Sequence, residues 1–396
     1  MMQSQNKVWN RNFIYLTLSN FLMCCAYYSL IATLPVYLST EMHAIKSLVG
    51  ITLAAYIVAS IMVRPFAGFA LDKLGRKTIF LAALLMYGIL FNGYIIAYTI
   101  LAVMVIRFFH GLTWGITTTA NSTIAIDIIP PKKRGQGIGY FGLSTTLGMA
   151  IGPVIGSYVF QWGGYYALFM GGSVMGIVST ILAGLIIYPK LAHAIDNQVF
   201  QWKNLFERTT IIPALNLIFI QITYGGLLSF IALYGHEIGI VHASGFFLVY
   251  AVGIGFSRFS SGKILDRNGP KYVIMGSLLL LIIGFPLLAL VRTPLGFYSS
   301  AIILGIGNGV VFPTFQTMVN NIAPANRRGA ANSTLFAGVD AGMGSGMVIV
   351  GFIAQQYSIS TAFIVCSGIC VVGLIGFLAV TLKHYNSHVK RLKLLA

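Results

Sequence analysis

Acidic side chains are scarce in this chain: eight Asp and Glu among 396 residues, and charged residues of both signs reach only 8%. A soluble domain carries about 25% charged residues, so this chain cannot cover itself with polar surface, and water is excluded as its main solvent. Cysteine is equally rare. Cys24, Cys25, Cys366 and Cys370 all sit inside apolar stretches, where a thiol serves as a small core residue, and this excludes a disulfide framework. No Walker phosphate loop, zinc-ligand spacing or nucleophile triad is present, so ATP hydrolysis and enzymatic catalysis lack their chemistry. No metal and no cofactor is called for. The net charge of +17 raises nucleic acid as a partner, but the cations form no basic domain or helix face, and that partner is excluded. The first apolar run follows Lys7 and Arg11 and has no small-residue cleavage site, so it reads as a retained helix.

What the chain has in abundance is apolar length. Hydrophobic residues make up 57% and mean hydropathy is +0.85. Breaks at charged, Pro or Gly clusters delimit spans near 12–38, 46–70, 78–98, 101–126, 136–160, 164–188, 210–235, 241–265, 272–291, 297–321, 330–353 and 358–382. Each matches the roughly twenty residues a helix needs to cross about 30 Å of hydrocarbon. The fold class expected is an all-α membrane protein with twelve transmembrane helices in two six-helix bundles. Pro35, Pro65, Pro153 and Pro313 fall inside spans as expected bends, tolerated because neighbouring helices satisfy the freed backbone groups.

The cations are distributed very unevenly. Twenty of the 25 Lys and Arg lie in one alternating set of segments, which includes both termini; the other set holds Lys46 and Arg292, and Arg64, Arg107 and Arg258 fall within spans. Cytoplasmic loops collect Lys and Arg, so both termini are expected in the cytoplasm of a multi-pass, bacterial-type inner-membrane protein.

The two halves resemble each other. Arg64, Gly68, Asp72, Gly75 and Lys77 recur 194 residues later as Arg258, Gly262, Asp266, Gly269 and Lys271. Pro130, Arg134 and Gly135 recur as Pro324, Arg328 and Gly329, and Gly111 and Gly115 as Gly305 and Gly309. This duplication predicts an N-terminal bundle (1–188), a polar cytoplasmic linker (189–209) and a C-terminal bundle with a short cytoplasmic tail (210–396). Parallel six-span repeats place the substrate site near mid-membrane between the halves.

The stretch Gly68-Phe-Ala-Leu-Asp72-Lys-Leu-Gly75-Arg76-Lys77, with its second-half copy, resembles the loop between the second and third helices of the major facilitator superfamily, and within it the twelve-helix drug:proton antiporters and related sugar and metabolite exporters. The resemblance implies a cytoplasmic latch built from Gly68, Asp72, Gly75, Arg76, Lys77 and Asp266 and joined by Asp127, with Arg76 as the partner of Asp127. The bland reading of the same charges is orientation alone. Gly148, Gly152, Pro153 and Gly156 resemble the exporters' fifth-helix signature; physically, small residues four apart form a groove for close helix packing.

Arg107 to Gly115 resembles the family's membrane-buried arginine motif. His110, Trp114, Thr118 and Asn121 lie within about 60° of Arg107 on a helical wheel, a polar and aromatic face that the family fold turns toward the cavity. Snorkelling of Arg107 to the outer interface is the alternative. Asn20, Tyr27, Gln221, Tyr224, Asn308, Phe312 and Gln316 are the other cavity candidates; each serves equally as helix packing. Asp340 lies about ten residues into span eleven, and its counterpart in the repeat is Thr146. A buried carboxylate there is a candidate proton site, with His110 as a second; a neutralising partner is the competing account.

The function expected is secondary transport: export of a small organic molecule by a monomer that exchanges it for protons, powered by the proton gradient in place of any cofactor. The partners implied are the small-molecule substrate and membrane lipid. Import or exchange of an anionic solute through Arg107, and a lipid flippase or sensor on the same fold, are the rivals.

Overall fold

The computed structural model describes residues 8–73, 75–130, 133–188, 207–324 and 328–395. The regular structure among them is entirely helical: α1 (Arg11–Thr40), α2 (Lys46–Lys73), α3 (Arg76–Gly93), α4 (Ile100–Ile128), α5 (Arg134–Gly184), α6 (Ile211–Glu237), α7 (Gly245–Asn268), α8 (Pro270–Leu290), α9 (Pro294–Ile322), α10 (Arg328–Gln356), α11 (Ile359–Gly376) and α12 (Leu382–Leu395). A 3₁₀ turn (Arg208–Thr210) precedes α6 and a π turn (Phe377–Thr381) joins α11 to α12. α5 is two membrane spans in one, because Gly163 and Gly164 leave helical geometry, Gly164 with φ 65°. With that break the twelve expected spans are α1 to α11.

Local chemistry sets the ends of these helices. Asn10, Thr99, Thr293 and Ser358 each cap a helix, their side chains accepting from Phe13 N, Ala102 N, Gly296 N and Thr361 N at 2.9, 3.2, 3.2 and 3.0 Å. Such a cap satisfies a backbone donor that has no partner within the helix. Thr99 and Thr293 are 194 residues apart, as are Gly75 (φ 92°) and Gly269 (φ 72°), which start α3 and α8 in a conformation that glycine adopts without a Cβ penalty.

Three boundaries differ from those expected. Span three was expected to reach Tyr98, but α3 stops at Gly93 and the chain turns before the Thr99 cap. Span six was expected to run to Tyr188 and stops at Gly184. There the Asn12 side chain both accepts from Ile187 N and donates to Ile187 O, each at 3.1 Å, satisfying that backbone without a helix. The C-terminal tail is helix α12, continuous with the last span through the π turn. Pro35, Pro153 and Pro313 lie inside helices that run through them. Of the expected linker, residues 189–206 lie outside those described.

The chain forms two compact units, one of residues 1–42 and 55–200, the other of 43–54 and 201–396. In the first unit α1 packs along α5, and α3 lies on α4 and α5. In the second α6 packs along α10, α7 along α9, and α8 on α9 and α11. The pairings α1 with α5 and α6 with α10 are the same step of the repeat. Each seam is lined with small residues: a Cβ on Gly152 would lie 2.7 Å from Cys25 O, and one on Gly342 would lie 2.7 Å from Ile218 O. Gly148 and Gly156 meet Cys24 and Ser29 of α1 in the same groove.

The first residues of α2 count with the second unit. Lys46 Nζ pairs with Glu237 of α6 at 2.7 Å and Lys46 N donates to Gln355 Oε1 of α10 at 2.8 Å.

Candidate functional site

The most unusual group in the first unit is Arg107. It lies seven residues into α4, and its side chain is 0% exposed. A guanidinium is costly to remove from water and ordinarily finds a carboxylate. Here the Tyr56 ring of α2 lies 4.2 Å from Cζ, a cation–π contact, and the three nitrogens are buried without a well-formed hydrogen bond, the Tyr94 hydroxyl oxygen beside them being a weak acceptor. The guanidinium does not reach the surface of the structure.

Aromatic residues wall the cation in. The Tyr94 hydroxyl lies against Arg107, toward which its oxygen is a weak acceptor, and the same hydroxyl is engaged with His110 Nδ1 at 3.1 Å. The His110 ring is in turn 4.5 Å from that of Tyr87 and 4.6 Å from that of Phe91, centroid to centroid. His110 Nε2 and the Tyr56 hydroxyl are buried without a partner. Above them Tyr27 of α1 stacks on Trp114 at 4.4 Å and on Tyr56 at 5.3 Å. Tyr27, Arg107, His110 and Trp114 are thus brought together, and Trp114 alone of these four is partly exposed.

Helix proximity makes this box possible. Gly111 packs directly on the Tyr56 carbonyl, with no room for a side chain between α2 and α4. The second unit repeats that approach with Gly305 against the Tyr250 carbonyl.

Asn20 and Asn121 stand apart from the box. Asn121 Nδ2 donates to Asn20 Oδ1 at 3.1 Å, and Asn20 Nδ2 donates to Ser144 Oγ at 2.7 Å and Thr145 Oγ1 at 3.1 Å. This buried amide chain ties α1, α4 and α5. At the end of α4, Asp127 forms an ion pair with Arg76 at the start of α3. Gly75 supplies the turn before α3, and Lys77 reaches over the Tyr188 ring at 5.9 Å. The surroundings of Gly68 and the side chains of Asp72 and Asp266 fall outside the described residues.

In the second unit Asp340 is 7% exposed, midway along α10 between Gly338 and Gly342, which pack on α6. Gln221 is buried beside Gly342. Tyr224 stacks over Tyr250 at 6.5 Å, and Phe312 of α9 meets Phe336 of α10 at 5.3 Å. Asn308 Nδ2 is buried beside the Tyr250 hydroxyl, while Gln316 donates to Asn332 Oδ1 at 3.2 Å, tying α9 to α10. Among the described residues no group of three or more His, Cys, Asp or Glu is placed to hold a metal ion.

Sequence reasoning missed the walls of the box, Tyr56, Tyr87 and Tyr94. A usable signal existed for one of them, since Tyr56 recurs as Tyr250 at the repeat offset.

The sequence model of the Major Facilitator Superfamily matches residues 16–334 and 246–393. The chain belongs to this family. It is therefore a multi-pass membrane transporter, not an enzyme. Among curated relatives, the staphylopine export protein of Staphylococcus aureus (strain Mu50) is 22% identical over 381 residues, covering 90% of this chain and 93% of the relative. The multidrug resistance protein MdtG of Escherichia coli (strain K12) is 24% identical over 376 residues, covering 91% and 92%. Among solved structures, the nucleoside transporter NupG matches with TM-score 0.71 and 18% identity over 93% of this chain and 98% of that one. A mutant of the peptide transporter POT in complex with sulfate matches with TM-score 0.76 and 14% identity over 95% of each chain. The relatives with export and resistance names show efflux-type similarity; the structures show the fold.

Proposed function

We propose that this transporter exports a small organic molecule from a bacterial-type cell in exchange for protons, as an inner-membrane monomer with both termini cytoplasmic. The observation that carries the reading is Asp340, a buried carboxylate in the middle of an apolar helix where the repeat has Thr146. Burial makes a charged carboxylate costly, which suits it to a protonation change coupled to rocking of the halves. The names of the two curated relatives support export, and the segregation of twenty cations to one set of segments supports the orientation. In that orientation the Arg76–Asp127 pair serves as a cytoplasmic latch.

The test is transport in proteoliposomes under an imposed pH gradient, with candidate amphipathic solutes and sugars. Asp340→Asn should abolish gradient-driven flux while leaving solute exchange intact. Unchanged gradient-driven flux in that variant would remove Asp340 from the coupling role, and accumulation against the direction of export would reverse the reading.

A further inference from the structure

The Arg107 box is not demanded by the fold. The duplication keeps its scaffold: Tyr56 and Gly111 recur as Tyr250 and Gly305, with the same close approach of a glycine to a tyrosine carbonyl. What the second unit lacks is the polar filling. Tyr87, Tyr94, Arg107 and His110 have as counterparts Leu281, Leu288, Ala301 and Leu304, and all four of these apolar residues are fully buried. The same helix arrangement is therefore stable when filled with aliphatic side chains, and those cost no desolvation. A fully buried cation stands in place of a methyl group in one half only.

That cation is incompletely neutralised. A cation–π contact is worth about 2 kcal/mol when desolvated, well short of the several kcal/mol that burying an ion costs. Among the described residues the guanidinium has the Tyr94 hydroxyl as a weak acceptor and no carboxylate, the Tyr56 hydroxyl and His110 Nε2 are buried with no partner, and all belong to one cluster. Buried polar groups are normally satisfied, so this cluster of under-satisfied donors around one positive charge marks a place where an acceptor-rich anion belongs. Glu41, an acid of this unit, lies beside Tyr37 and Tyr165 instead, and Asp127 is held by Arg76. The planar fork of arginine matches a carboxylate in two parallel hydrogen bonds. The flat walls of Tyr56, Tyr27 and Trp114 suit an apolar or aromatic body attached to it.

We propose that Arg107, with Tyr56 and His110, is a carboxylate-binding site in the N-terminal unit, so that the transported solute is an organic acid whose carboxylate enters where the Tyr27–Trp114 stack now closes the box. The proposal rests on the transporter reading but not on its direction or its proton coupling. Trp114, the partly exposed member of the stack, is the natural entrance, and separation of Tyr27 from Trp114 is the movement that admits the solute.

Binding to the purified full-length transporter in detergent tests this, with benzoate as probe, benzamide as its neutral isostere and chloride as the inorganic anion. Benzoate should raise the unfolding temperature saturably and change tryptophan fluorescence, the latter change being lost in Trp114→Phe. Benzamide should do neither. Arg107→Gln and Arg107→Lys should each weaken benzoate binding by about tenfold or more, the second because a point charge lacks the fork; Tyr56→Phe should weaken it less. If the arginine variants fail to fold, the benzoate to benzamide contrast in the unaltered protein decides. Equal effects of benzoate and benzamide, or undiminished benzoate binding in a folded Arg107→Gln, overturn the proposal. Protection by chloride equal to that by benzoate assigns the box to an inorganic anion and overturns its role in solute recognition. Loss of proton-driven flux in Asp340→Asn bears on none of these outcomes, so the two readings fail separately.

Discussion

Replacing Gly111 with alanine probes both the packing and the site, and Gly305→Ala supplies a matched control in the other unit. A Cβ at 111 would stand 2.7 Å from the carbonyl carbon of Tyr56 and 2.9 Å from its Cα, with the carbonyl oxygen nearer still. The carbonyl oxygen is the tightest contact and stands well inside ordinary van der Waals distance, so α2 and α4 must part locally by about 1 Å or more. All the obstructing atoms are backbone, so no side chain can rotate away. At 305 the Tyr250 carbonyl oxygen is again the tightest contact and the nearest carbons are looser, Tyr250 C at 3.0 Å and Gly253 Cα at 3.2 Å, so the separation required is slightly smaller. Overpacking of this kind costs about 1–3 kcal/mol. In a unit of this size each kcal/mol lowers the melting temperature by about 2–4 °C. Both variants should therefore unfold a few degrees early in a thermal scan of detergent-purified protein, Gly111→Ala the earlier. Their effects on the site should diverge. Tyr56 carries the ring that lies 4.2 Å from the Arg107 guanidinium, whereas in the second unit the counterpart of Arg107 is Ala301, which has no charge to hold. Benzoate binding should fall in Gly111→Ala and persist in Gly305→Ala. A Gly111→Ala protein that melts with the unaltered one would refute the close approach, and equal loss of binding in both variants would refute the asymmetry between units.

Two further outcomes follow from the same geometry. If the Arg76–Asp127 pair acts as the proposed latch, exchanging its partners, Arg76→Asp with Asp127→Arg, should recover part of the transport lost in either single charge reversal. The pair is partly exposed, so its coupling energy in a double-mutant cycle should be about 1 kcal/mol or less; complete independence of the two sites would show that the pair is only a surface contact. Asn20→Leu removes the acceptor for Asn121 Nδ2 and the donor for Ser144 Oγ, leaving buried polar atoms unpaired at a cost of about 1–3 kcal/mol; early unfolding should appear without a change in benzoate affinity.

Much of the architecture could be read from periodicity and spacing. Span positions follow from hydrocarbon thickness, a constraint local to each segment, so ends such as Thr99 and Thr293 could be bracketed within a few residues. The departures have non-local causes. Span six ends early because Asn12, 175 residues away, takes over the backbone of Ile187. The wheel reading of α4 grouped Arg107, His110, Trp114 and Asn121 on one face. The structure divides that face: Arg107, His110 and Trp114 join the aromatic box, and Asn121 turns to Asn20 and the seam with α5. No wheel drawn on a single helix carries that distinction, because it depends on which neighbour each residue meets.

By itself, then, the sequence determined the solvent, the number of spans, the twofold repeat and the family, since each is set by composition or by spacing along the chain. Only the tertiary structure decided what surrounds Arg107. Its walls come from Tyr27, Tyr56, Tyr87 and Tyr94, on or beside three other helices, and its lack of an acidic partner among the described residues is a fact about space: whether a buried charge is neutralised depends on atoms within a few ångströms, and those atoms lie far from it along the chain.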